Sequence, residues 1–379
     1  MYIKKNIWLM YAIALLQGMV FYGPVATLYR QAAGVDIFGI TLIESISLAL
    51  CVLLELPWGL VADRIGYKKT MLICCWIYFL SKIVFWKATG FWGFLAERVM
   101  LSVVMAGISG VDVSIVFLSC GQGRFQKVFG IYENLCTVGL IAAAGAYSIW
   151  IGSNYRLAGF LTVISYALAA LLSLFITEVK SPDKPVESRP AAFSALVKGV
   201  VSDRRLLLLL LATALLNETH QTVTVFLNQL QYVRCGMGDR AIGLVYAGVT
   251  AAGLLGVFSA RVTARFGERK LGGALFAVSA AMCGLLAITA GAAASVAAIL
   301  LLRICFSLYQ PLHNELQNRM VKTADRATAL SVNAVLMEGV AIGSNLIFGG
   351  AAKYSLPLAF SIGAVFCAAG FGFYRASQK

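Results

Sequence analysis

Long apolar runs separated by short polar connections dominate this chain. Twelve of them reach about 20 residues, the length a helix needs to cross hydrocarbon, at 7–29, 39–61, 70–87, 92–118, 129–151, 155–177, 206–231, 241–262, 271–290, 295–320, 328–350 and 355–374. Inside a bilayer only a helix or a closed barrel satisfies its own backbone polar groups, and runs of this length predict helices. One connection carries a dense motif, Glu55-Leu-Pro57-Trp-Gly59-Leu-Val-Ala-Asp63-Arg64-Ile-Gly66-Tyr-Lys68-Lys69. A shift of 201 positions lays Gly66 on Gly267, Arg64 on Arg265 and Lys68-Lys69 on Arg269-Lys270. The chain therefore reads as a duplication, with Asp63 facing Ala264 in the second copy.

Between the sixth and seventh runs the pattern changes. Residues 180–205 hold three of the seven prolines and a high share of charge, so they predict a linker between an N-terminal bundle, 1–179, and a C-terminal bundle, 206–379. Its stretch from Ala191 to Val201 reads equally as a surface amphipathic helix or as a solvated tether. The expected fold is an all-α membrane protein with twelve transmembrane helices in two pseudo-symmetric six-helix bundles.

Composition supports the membrane assignment: 60% of residues are hydrophobic and 13% charged, with a mean hydropathy of +0.83. A net charge of +14 would suit a nucleic-acid binder, yet the cations segregate by loop instead of forming one folded basic surface. Lys4, Lys5, Arg64, Lys68, Lys69, Arg124, Lys127, the linker cations, Arg261 to Lys270, Arg319 and Arg375 fall on one side. The positive-inside pattern makes that side cytoplasmic, with both termini on it. The first run is too long for a signal-peptide core and is expected to stay. The nine cysteines sit mainly inside the predicted helices and lack metal-ligand spacing, so they read as small buried residues. No metal or cofactor is expected.

The run Gly59-Leu-Val-Ala-Asp63-Arg64-Ile-Gly66-Tyr-Lys68-Lys69 resembles the loop 2-3 signature of the major facilitator superfamily. Helix count, repeated hinge and linker extend the resemblance over nearly the whole chain. Glu55-x-Pro57-x-Gly59, with Ser109-Gly110-Val-Asp112 in the fourth span, is similar to a bacterial branch of drug-efflux-like permeases within it. The Gly-Pro signature of exporters in the fifth span is replaced by Gly139-Leu-Ile-Ala-Ala-Ala-Gly145, without proline. What the resemblance implies is a conformational latch of Glu55, Gly59, Asp63, Arg64, Gly66 and Lys68, with Arg98, that stabilises an outward-facing state. It also implies that the first, fourth, seventh and tenth helices surround a central cavity.

Charges at membrane depth are costly and are functional candidates by default. Positions three, four and seven apart share a helix face. On that spacing the fourth span aligns Arg98, Ser102, Met105, Ser109 and Asp112, and the seventh aligns Thr213, Asn217, Gln221, Thr224, Asn228 and Gln231. The tenth aligns Arg303, Ser307, Gln310, Asn314 and Gln317. The eleventh gives Ser331, Glu338 and Asn345, and the first gives Tyr11, Gly18, Tyr22 and Tyr29. Substrate-cavity candidates are Tyr22, Arg98, Ser109, Asn217, Gln221, Thr224, Asn228, Arg303, Gln310, Asn314 and Gln317. An acid that loads a proton on one side and releases it on the other is the element a proton-coupled carrier needs. Asp112, Glu218, Glu338 and Glu133 are the candidates.

These readings converge on a secondary active transporter rather than an enzyme: neither a nucleotide-binding loop nor a nucleophile elbow is present. The expected partners are a small-molecule substrate, protons and membrane lipid, with no nucleic acid, and the chain is expected to act as a monomer. Proton-coupled efflux of amphipathic compounds is the first expectation. Uptake of a polar metabolite is the alternative, favoured by the polar seventh and tenth spans, and a non-transporting membrane sensor or scaffold is the alternative of another class.

Overall fold

A computed structural model describes residues 3–120, 124–179, 203–320 and 326–378. Of the expected linker at 180–205, residues 180–202, with the amphipathic stretch, lie outside the described residues, and Arg204 already begins the next helix. Twelve helices are long and apolar enough to span a membrane, and no strand occurs among the described residues. They are α1 (Lys4–Ala32), α2 (Ile37–Ile65), α3 (Tyr67–Lys87), α4 (Gly90–Cys120), α5 (Phe125–Ile151), α6 (Tyr155–Ser173), α7 (Arg204–Arg234), α8 (Asp239–Phe266), α9 (Glu268–Ile288), α10 (Ala292–Met320), α11 (Arg326–Tyr354) and α12 (Leu356–Ser377).

The chain separates into two compact units. The first contains α1, α3 to α6 and the part of α2 from Ile46 onward; the second contains α7, α9 to α12 and the part of α8 from Ala251 onward. Each unit also takes in the opening segment of a helix from the other half of the sequence, Asp239–Thr250 of α8 in the first and Asp36–Ser45 of α2 in the second. Missing side chains permit both insertions. A Cβ on Gly243 would collide with Ser148 of α5, and a Cβ on Gly349 of α11 would collide with Thr41 of α2. Ser45 Oγ donates to the Ile342 carbonyl (3.3 Å) and Asn345 Nδ2 to that of Thr41 (3.3 Å).

Each unit has its own core. In the first, Met10, Ile13, Met71, Ile115 and Ala170 are fully buried together; in the second, Leu209, Phe276, Tyr309, Cys367 and Tyr374 are. Gly139 of α5 packs where a Cβ would meet the Leu15 carbonyl and Gly18 of α1. The small residues of the fifth span thus serve close helix approach.

Five of the helices are irregular. α1 unwinds after Gly18 and resumes through a single 3₁₀ turn, Gly23–Val25. In that break the Phe21 amide donates to Thr162 Oγ1 of α6 (3.0 Å), which satisfies a group that hydrocarbon could not. α4 is interrupted at Ser109–Gly110, where Gly110 has φ +80°. α5 and α7 contain π-helical segments, Tyr147–Ile151 and Thr222–Leu227, and α8 a 3₁₀ segment, Gly253–Phe258.

The expected repeat is visible in the backbone. Gly66 (φ 93°, ψ 154°) and Gly267 (φ 78°, ψ 146°) adopt the same conformation between their helices, one that is essentially restricted to glycine. The hinge is tighter than the apolar pattern suggests. Instead of ending near 61, α2 continues to Ile65, so Gly59 is helical and Gly66 alone makes the turn.

Gly267→Ala should therefore lower stability by about 1–3 kcal/mol through backbone strain alone, since no atom lies within 4 Å of its virtual Cβ. Gly66→Ala should cost more, because its Cβ would fall 2.8 Å from Glu178 Oε2. Thermal unfolding of the purified variants checks this order; two wild-type midpoints would contradict it.

Candidate functional site

The loop 2-3 signature has a partner that the sequence did not suggest. Glu178, just beyond α6, places Oε1 3.2 Å from the Lys68 amide and Oε2 beside Gly66. A carboxylate there satisfies an orphan donor and complements the positive end of the α3 dipole. Only a glycine at position 66 lets it come so close. Arg64 and Glu55 are exposed and Lys68 is half-buried; the Asp63 side chain lies outside the described residues.

In the first unit Tyr22, one of the cavity candidates, sits in the α1 break and is 5% exposed. Its ring stacks on Phe85 (3.9 Å between centroids), and its hydroxyl accepts from Lys82 Nζ at 3.1 Å. Lys82 in turn lies 3.7 Å from Glu97, and Arg30 lies 3.9 Å from the same carboxylate. Glu97, which sequence reasoning passed over, has no exposed surface. It sits one position before Arg98, off the polar stripe, so its only signal was a lone acid in an apolar run. Arg30, at the end of the first apolar run, has the sequence signature of a loop cation, but it is 6% exposed inside this cluster.

The α4 stripe does not run as one face, because the break at Ser109–Gly110 interrupts the helical period. Above it, Arg98 is half-buried and Ser102 is buried against Ser47 of α2 (2.8 Å). Ser109 is exposed at the break. Below it, Asp112 opens a new helical turn: its Oδ1 accepts from the Val113 amide (2.7 Å) and its Oδ2 from Tyr132 of α5 (3.3 Å). Glu133 of α5 is exposed.

In the second unit the seventh-span stripe is also divided. The π-helical segment Thr222–Leu227 inserts extra backbone and rotates the turns C-terminal to it, so residues four and seven apart no longer align across it. Asn217 and Gln221 stay open, whereas Thr224 and Asn228 are buried at 5% and 2% exposure. Thr213 is buried against Tyr309 (2.8 Å) and His313 Nδ1 (2.9 Å), and Gln231 Nε2 donates to Ser295 (3.0 Å). Asn228 and Gln317 are therefore packing groups in this structure, not open lining. On α10, Asn314 is exposed and Gln310 Nε2 donates to Asn217 Oδ1 at 3.0 Å.

Next to that amide pair lies a charged group. His220 stacks on Phe306 (3.8 Å, 6°), and its Nε2 is 3.2 Å from Thr224 Oγ1 and 3.4 Å from Arg303 Nη1. The Arg303 guanidinium lies against Gly253, in the 3₁₀ segment of α8, in space a Cβ would fill. Glu218, 5% exposed, accepts from Thr222 (2.6 Å), and the carboxylates of Glu44 and Glu338 are within electrostatic reach of it. Glu44, from the second helix of the sequence, belongs to the same compact unit as Glu218 and Glu338.

Comparison with known proteins agrees with this architecture. The description of the Major Facilitator Superfamily matches residues 7–344. The chain belongs to the Major Facilitator Superfamily. Among solved structures, a mutant of the nucleoside transporter NupG aligns with a TM-score of 0.83 at 15% identity, covering 99% of this chain and 100% of that one. A bacterial homologue of the human lysosomal transporter Spinster aligns at 0.76 and 16% identity, covering 98% and 95%. The E. coli fucose:proton symporter FucP aligns at 0.61 and 18% identity, covering 98% of each. No curated protein matched the chain by sequence. The chain is thus an integral membrane protein with a transporter fold, not an enzyme.

Replacing Glu178 by Ala should free the Lys68 amide and speed its hydrogen exchange by about tenfold, for a cap worth about 1.4 kcal/mol. Unchanged exchange at Lys68 would show that the carboxylate does not hold the turn.

Proposed function

We propose that the chain is a proton-coupled carrier that works by alternating access and takes up a polar solute. The observation that carries this reading is the Asn217–Gln310 amide pair, flanked by exposed Gln221 and Asn314 and by Arg303, with Glu218 buried on the same helix. Amides and a guanidinium held in place at membrane depth select solutes that can match them, because a ligand without those groups leaves them unpaired. The resemblance to drug-efflux-like permeases suggests export of amphipathic compounds instead. Such compounds would be better served by an apolar surface than by this set of donors and acceptors.

The relatives named a nucleoside transporter and a fucose:proton symporter share 15% and 18% identity. At that distance they support the fold, so the solute class rests on this chain's own side chains. Proton coupling rests on Glu218, an acid buried in a membrane span on the same helix as Asn217, where a carboxylate is costly and is a functional candidate by default. The distribution of cations supports a cytoplasmic location for both termini.

Glu218→Gln should abolish accumulation driven by a pH gradient in proteoliposomes while leaving solute exchange measurable. Undiminished gradient-driven accumulation would remove Glu218 from the mechanism. Asn217→Ala and Gln310→Ala should each raise KM about three- to tenfold with little change in kcat; a wild-type KM in both would remove the amide pair from the binding site. The solute itself can be found by screening polar metabolites and amphipathic cations for ligand-dependent thermal stabilisation.

A further inference from the structure

The two hinges share a backbone conformation but not a cap. In the first, the Lys68 amide donates to Glu178 Oε1 (3.2 Å), and Glu178 Oε2 lies 2.8 Å from where a Cβ on Gly66 would be. The repeat lays Arg269 on Lys68, and Gln378 follows α12 much as Glu178 follows α6, 200 positions earlier. At the second hinge no atom lies within 4 Å of a Cβ on Gly267. Among the described residues, no side chain there accepts from the amides of Arg269 and Lys270. Where the first hinge has an acceptor the second has a donor, because Gln378 Nε2 is buried and has no partner.

A pocket of about 740 Å³ opens at this turn, lined by Phe266, Gly267, Arg269, Lys270 and Gln378. Two acids, Glu268 and Glu315, also line it, but both carboxylates pair with Arg319. The groups left to the pocket are donors: two exposed cationic side chains, the amides at the positive end of the α9 dipole and the Gln378 amide. Together they complement an anion with several acceptor oxygens. The approach to the pocket is apolar. Along α8, Leu254, Val257, Phe258 and Phe266 are exposed, with Arg261 over the Phe258 ring (5.8 Å) and Arg265 over that of Phe266 (5.7 Å). Apolar surface that gives way to cations and then to a pocket of donors fits a ligand with acyl chains and an anionic head.

We propose that the pocket at the Gly267 turn binds the phosphate of an anionic phospholipid, which caps α9 from outside the chain as Glu178 caps α3 from within it. The phosphate oxygens accept from the Arg269 and Lys270 amides and from Gln378 Nε2. The Arg269 and Lys270 side chains balance the charge of the headgroup, and its acyl chains lie on the exposed apolar surface of α8.

Phosphatidylglycerol is the probe, with phosphatidylcholine and glycerol 3-phosphate as comparisons. Native mass spectrometry of the full chain in a neutral detergent reads the apparent Kd of the first lipid bound. Phosphatidylglycerol should bind at least about tenfold more tightly than phosphatidylcholine, and glycerol 3-phosphate should not bind at the same concentration. Arg269→Gln/Lys270→Gln should remove the preference. Lys4→Gln/Lys5→Gln deletes the same charge at exposed positions outside the pocket and should keep it. Gln378→Glu, which gives the second hinge the acid of the first, should weaken phosphatidylglycerol binding and slow hydrogen exchange at the Arg269 amide of the lipid-free chain. Equal binding of the two lipids, equal losses in the two double variants, or binding unmoved by Gln378→Glu would overturn the site. Glycerol 3-phosphate bound as tightly as phosphatidylglycerol would overturn a lipid as its occupant.

Discussion

Hydrocarbon offers no partner to a polar group, and this limit organises the whole molecule. Twelve helices satisfy nearly all backbone groups internally, so every departure from helix needs a specific substitute. The α1 break has one in Thr162, whose hydroxyl receives the Phe21 amide. The Gly66 turn has one in Glu178, which receives the Lys68 amide. The irregular segments of α1, α4, α7 and α8 lie beside Tyr22, Asp112, Glu218 and Arg303 respectively. Unwound backbone and buried charge therefore occupy the same levels, as expected where a membrane protein handles polar cargo.

The same limit explains how charges are arranged within each unit. In the first, Glu97 is surrounded by cations that rest on aromatic rings; in the second, Glu218 has Glu44 and Glu338 for neighbours. One acid is stabilised by positive charge and the other is opposed by negative charge. The two units thus surround their buried acids with charges of opposite sign.

Much of the fold could be read from the sequence because its strongest signals are long. Runs of about 20 apolar residues mark spans whatever their packing, and the 201-residue repeat placed Gly66 on Gly267, two residues that share one backbone conformation. The site was less legible because spacing arguments assume an unbroken helical period. The π-helical segment of α7 turned Asn228 into the packing, and the break at Gly110 separated Asp112 from Arg98. Glu97 and Glu178 were missed for a different reason: each is a lone acid whose importance comes from groups far away in sequence, Arg30 and Lys82 for one and Gly66 for the other.

Simultaneous recording of solute and proton movement tests the account most directly. In liposomes containing the purified chain and an internal pH dye, a polar solute selected by thermal stabilisation is added outside without any imposed gradient. Solute influx accompanied by acidification of the interior, abolished by a protonophore, is the expected result. Influx with no change in internal pH, or alkalinisation of the interior, would contradict proton-coupled uptake.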